Sequence, residues 1–123
     1  MPKREPTMDT FEKLIKAFVL FVFSLLNAID MVQTIAFLQM GIEGNIFAVS
    51  YPQLWFGLKA AFAFALPVAL YYIDDYLETK EDEGLYTYLG RFVDFVYVII
   101  FFANIYYLQL VVRNTRILGR VLP

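Results

Sequence analysis

The sequence predicts an all-α fold: three transmembrane helices packed as an antiparallel bundle. Three observations predict it. Of the 123 residues, 60% are hydrophobic and 19% aromatic, and the mean hydropathy is +0.60, whereas soluble domains are ~45–50% apolar. The apolar residues fall into three runs, about residues 14–40, 53–73 and 92–112, each long enough to cross a ~30 Å hydrocarbon core as helix. Aromatic and basic residues gather where the runs end, as they do at membrane interfaces. The whole chain, 1–123, reads as a single integral membrane domain.

The first eight residues are polar, contain two prolines and read as a frayed tail. Asp9, followed three residues later by Glu12, resembles a capping box and predicts a helix start there. Lys13 and Lys16 stand at the entrance of this helix, where long stems reach the headgroups. The apolar pattern resumes after Leu26, through Ile35, Phe37 and Leu38. The segment therefore reads as a retained signal-anchor rather than a cleaved signal peptide. Gly41 and Gly44 end it.

Residues 45–51 are again mostly apolar and predict a short half-helix at the membrane face. Pro52 suits the opening of the second span, which carries Trp55 near one boundary and Tyr71 and Tyr72 near the other. Pro67 removes a backbone donor, so a kink is expected near residue 63. Residues 74–91 read as an acidic, solvated loop: Asp74, Asp75, Glu78, Glu81, Asp82 and Glu83 against Lys80 and Arg91. In the third span Asp94, Tyr97 and Asn104 share a helical face. A short basic tail with Arg113, Arg116 and Arg120 follows, suited to anionic headgroups.

Composition also excludes function classes. With no His and no Cys, thiolate and imidazole metal sites, cysteine nucleophiles and histidine triads are impossible within this chain. No nucleotide loop, nucleophile elbow or paired-acid motif is present, so no enzyme is expected. Neither a metal nor a cofactor is indicated. An oxygen-only cation site from Asp30, Glu43 and amide oxygens is a weak signal. The net charge of −2, with no basic stripe in the spans, speaks against nucleic acid.

What remains is a polar constellation in an apolar setting. Asn27, Asp30 and Thr34 follow i, i+3, i+7 and fall within about 60° on a helix. A charge at bilayer depth costs ~2.5–3.5 kcal/mol on insertion scales, so Asp30 needs a partner. Lys59 in the second span is the matching base, and Asn104 lies near the centre of the third. These five residues are the candidate polar intramembrane site. Glu43 and Asn45 either form its mouth or serve as a turn residue and a helix N-cap. Such a core either holds three helices in register or binds an ion or polar solute.

At Asn27-x-x-Asp30-x-x-x-Thr34, followed by Gly41, Glu43 and Asn45, the chain resembles a family of small prokaryotic integral membrane proteins of unknown function. That family carries Asn-x-x-Asp-x-x-x-Thr in its first span, Glu-x-Asn-Pro before its second, and a lysine within the second, similar to Lys59. The resemblance covers about residues 20–75 and departs at Ile46, where the family commonly has proline. It implies a polar intramembrane site and supplies no activity.

These readings converge on a structural or accessory membrane subunit acting through helix–helix contacts. Its expected partners are the lipid bilayer and either further copies of itself or a larger membrane complex. The alternative is a minimal carrier, channel-like or small-ligand- or cation-binding membrane protein centred on Asp30 and Lys59. Localisation should be the cell membrane, multi-pass. Lys3, Arg4, Lys13, Lys16, Lys80 and Arg91 on one side outnumber Arg113, Arg116 and Arg120 on the other. The positive-inside rule then places the N-terminus in the cytoplasm.

Overall fold

A computed structural model describes residues 6–80 and 84–121. Among these residues every regular element is a helix: α1 (Pro6–Met40), α2 (Ile46–Ser50), α3 (Pro52–Glu78) and α4 (Gly84–Val121). Helices α1, α3 and α4 are each long and apolar enough to cross a membrane. The first five residues of the tail and the acids Glu81, Asp82 and Glu83 lie outside the described residues.

Helix α1 starts at Pro6 rather than at Asp9. Proline is tolerated at a first helical position because the N–H it lacks would have no partner there. The helix stops at Gly41, whose φ of +71° is a left-handed conformation that a side chain would strain. Gly41 N–H donates to the Leu38 carbonyl (3.2 Å) and Ile42 N–H to that of Phe37 (3.0 Å). This paired closure satisfies two terminal carbonyls.

Helix α3 is one helix with a π turn inside it, Ala61–Ala65, where Leu66 N–H reaches five residues back to the Ala61 carbonyl. Pro67 is the cause, because it has no N–H to offer the carbonyl of Ala63. The hydroxyl of Ser24 on α1 donates to that carbonyl instead. The interruption expected at Pro67 thus takes the form of a π turn held by a neighbouring helix.

The connection between α3 and α4 is shorter than the acidic loop expected over residues 74–91. Asp74, Asp75 and Glu78 belong to the last turns of α3, and Arg91 lies inside α4. The reason is electrostatic. Lys13 Nζ stands 2.9 Å from Glu78 and 3.6 Å from Asp75, and Lys16 Nζ stands 3.1 Å from Asp74 and 3.0 Å from Asp94. These acids therefore answer the lysines of α1 instead of facing only solvent.

The side-chain pairs set the directions. Lys16–Asp74, Ser24–Ala63 and Asp30–Lys59 run in opposite senses along α1 and α3, which are antiparallel. Lys16–Asp94, Phe23–Tyr107 and Gln33–Thr115 advance together, so α1 and α4 are parallel. Near the Lys16 end the interior is apolar, built from Leu20, Phe23, Leu70, Val93, Tyr97 and Ile100. Toward the other end it turns polar, with Asn27, Asp30, Gln33 and Thr34 buried. Large apolar side chains such as Phe62, Phe64, Phe92 and Phe102 face outward, where a bilayer would cover them.

Candidate functional site

The α1 face read from the sequence is buried along its length: Asn27 is 0% exposed, Thr34 4% and Asp30 5%. Asn27 Nδ2 donates to the Phe23 carbonyl one turn back (2.8 Å). Lys59, from the turn just before the π segment of α3, places Nζ 3.0 Å from Asp30 Oδ2. The same ammonium lies 4.2 Å from the ring centroid of Tyr107 and 6.0 Å from that of Trp55. A carboxylate and two aromatic faces therefore surround one cation, and desolvation strengthens each contact.

Depth follows from helix rise. From Lys16 to Asp30 along α1, and from Asp74 to Lys59 along α3, the distances are ~21 Å and ~22 Å. Taking the Lys16–Asp74–Asp94 cluster as one headgroup level, Asp30 and Lys59 stand within the ~30 Å core, about three quarters of the way across. The same measure brings Trp55 and Arg113 to the far boundary.

Asn104 is placed elsewhere. Its Nδ2 donates to the Val19 carbonyl (3.1 Å), two turns and ~12 Å of helix from Asn27. The α4 residue that reaches Lys59 is Tyr107, one turn further on. Glu43 and Asn45 are engaged at the start of α2. Asn45 Oδ1 accepts from the N–H groups of Phe47 (3.0 Å) and Ala48 (3.3 Å), and Glu43 Oε1 accepts from Asn45 N–H (2.9 Å). These bonds are those of a helix cap.

Sequence reasoning missed two further polar groups. One is the Lys16 cluster, completed by Glu12 at 3.3 Å, with the ammonium 5.1 Å from the Tyr97 ring. Its signal was present in the shared face of Asp94 and Tyr97. The other is Gln33, buried, whose Nε2 donates to Thr115 Oγ1 (2.9 Å) and to the Val111 carbonyl (3.2 Å). Gln33 lies one turn beyond Asp30 on the same side of α1. Three buried acceptors, the Oδ1 atoms of Asn27 and Asn104 and Oε1 of Gln33, have no donor among the described residues.

Among the described residues no three acids gather as a metal ion would require. Comparison with protein families matches residues 21–110 to a domain of unknown function, DUF5658. The chain belongs to the DUF5658 family. The matched DUF5658 segment contains Asn27, Asp30, Thr34, Lys59, Asn104 and Tyr107. It leaves out Lys13 and Lys16 at one end and Arg113, Arg116 and Arg120 at the other. No curated protein and no solved structure matches the chain.

Proposed function

We propose that this DUF5658 protein is a structural or accessory subunit of the cell membrane, acting through helix–helix contacts in a homo-oligomer or a larger complex. It catalyses no reaction, and its N-terminus is cytoplasmic. The observation that carries the reading is the setting of Lys59. Its side chain is 12% exposed and that of Asp30 8%, with Tyr107 and Trp55 closing the remaining sides. A cation so enclosed joins α1, α3 and α4 and has little left to offer a passing solute. Contact with other chains is supported by the outer face of α3. Gly57, Ala61, Ala65 and Ala69 recur there at four-residue spacing, all exposed, the pattern that lets membrane helices approach closely.

A second reading, a small carrier or cation-binding protein centred on Asp30 and Lys59, is favoured by one observation. Asn27 Oδ1 and Gln33 Oε1 flank Asp30 on α1 as buried acceptors with no donor among the described residues, and oxygen ligands of that kind suit a hard cation.

One paired substitution separates the two. Asp30→Asn with Lys59→Met removes both charges and leaves no buried ion unpaired. A structural subunit should still fold and assemble at near-native yield, and liposomes holding the native protein should pass no more ions or protons than empty vesicles. Flux through the native protein that vanishes in a well-folded paired variant would establish the carrier reading instead, because selection of an ion depends on the charges themselves.

A further inference from the structure

We infer that the outer face of α4 holds an anionic phospholipid, with its phosphate on Arg113, Arg116 and Arg120 and its acyl chain along Phe102 and Tyr106. At ~100° per residue these five side chains fall within about 80° of one another, so they form one stripe along the helix. The two aromatics are 62% and 61% exposed, and the three arginines are exposed as well. The stripe is thus apolar where it crosses the hydrocarbon and cationic where it leaves.

The level of the change matches a lipid. From Asp94, beside Lys16 at one headgroup level, to Arg113 is ~28 Å of helix, which is the thickness of a hydrocarbon core. Arg113 therefore reaches the phosphates of the opposite leaflet. Arg116 stands ~4–5 Å beyond it and Arg120 ~10 Å beyond, within and just above the headgroup layer. The register is held from inside: Gln33 of α1 bonds Thr115, and Val111 and Asn114 are buried. The opposite side of the same turns thereby faces outward.

Charge points to the occupant. At the other end of the bundle, carboxylates answer Lys13 and Lys16. At this end the described residues provide one acid, Glu43, and it is bonded to the backbone of its own loop. Three guanidiniums at phosphate height thus face outward with no side-chain carboxylate of the described residues upon them. Guanidinium forks bind phosphate oxygens in pairs, and lipid phosphates are the anions available at that height.

The test uses the full chain in mild detergent, with lipid adducts counted by native mass spectrometry. Phosphatidylglycerol and phosphatidylcholine are added in equal amounts. Retention of phosphatidylglycerol should exceed that of phosphatidylcholine by roughly a hundredfold, and the preference should fall roughly fivefold for each arginine replaced by glutamine. The variant R113K/R116K/R120K keeps the charge and should keep most of the preference. R113Q/R116Q/R120Q should lose it while retaining native helicity and elution. Inorganic phosphate at millimolar concentration should not displace the lipid, since it lacks the acyl chain. Equal retention of the two lipids, an unchanged preference in the glutamine variant, or displacement by inorganic phosphate would each overturn the assignment. None of these outcomes bears on the Asp30–Lys59 test above, which touches neither the arginines nor this face.

Discussion

Lys59 and Asp30 illustrate how two unfavourable residues become acceptable together. Either charge alone inside a bilayer would cost several kcal/mol. At 3.0 Å, with aromatic faces excluding water, their mutual attraction offsets much of that penalty. Removing one partner strands the other. Asp30→Asn or Lys59→Met alone should therefore destabilise by roughly 3–5 kcal/mol, the range for a broken buried pair. The paired variant should recover most of the loss. Unfolding titrations in mixed micelles measure all four species, and a cycle without coupling energy would dissolve the pairing. Tyr107 contributes through its ring, so Tyr107→Phe should be nearly neutral and Tyr107→Leu should weaken Lys59 by roughly 0.5–2 kcal/mol.

Helices meet through register, and register is the part that sequence periodicity leaves open. The 3.6-residue period correctly marks the buried face of α1, because Asn27, Asp30 and Thr34 are all enclosed. It does not say which residue of α4 stands level with Asp30. Asn104 sits near the middle of its own run, where the sequence alone suggests a neighbour for Asp30. Helix α4 begins at Gly84, eight residues before its apolar run, and the contacts with α1 bring Tyr107 to that level instead. The lysines of α1 and the acids of α3 were legible as charges, but their pairing needs two antiparallel helices already docked. Two rungs of opposite polarity, Lys16 with Asp74 and Asp30 with Lys59, then hold that docking, since sliding by one turn breaks both. Pro67 was legible as an interruption; its partner Ser24, on another helix, was not. Ser24→Ala should cost about 0.6 kcal/mol, the mean for interhelical bonds in membranes. In a Pro67→Ala background that cost should disappear, because residue 67 regains an N–H for the Ala63 carbonyl. Equal losses in the two backgrounds, measured in the same micelle titration, would detach Ser24 from the proline. The outer face of α3 is testable in the same way. A Cβ at Gly57 meets nothing within 4 Å, so Gly57→Leu should leave the fold intact and shift an oligomer toward monomer on size exclusion. Unchanged elution of a native oligomer would remove that face from the interface.

At the scale of the whole molecule, the two ends of the bundle differ in how their cations are answered, and this bears on orientation. On the side of the N-terminus and the α3–α4 connection, Lys13 and Lys16 are paired with acids, and Lys80 lies 4.9 Å from the Tyr76 ring and 5.8 Å from that of Tyr86. On the other side Arg113, Arg116 and Arg120 have no such partners among the described residues. If net charge decided topology, the C-terminal end would be cytoplasmic. The positive-inside rule counts Lys and Arg in short loops and gives Asp and Glu little weight, so the side carrying the larger number of bases is expected inside. The first helix usually dominates the decision, and Lys13 and Lys16 flank it. The two principles thus predict opposite orientations for this chain, and a labelling experiment decides between them. Cysteines introduced singly at Thr7 and Thr79 should react with a membrane-impermeant maleimide only when it is given access to the cytoplasmic face. One at Ser50, the exposed last residue of α2, should react from the opposite face. The chain has no native cysteine, so every label reports the introduced site. Reaction of Ser50→Cys from the cytoplasm, with Thr79→Cys protected there, would mean that acids answering the lysines of α1 had cancelled their weight during insertion. The arginines of α4 would then face the cytoplasm.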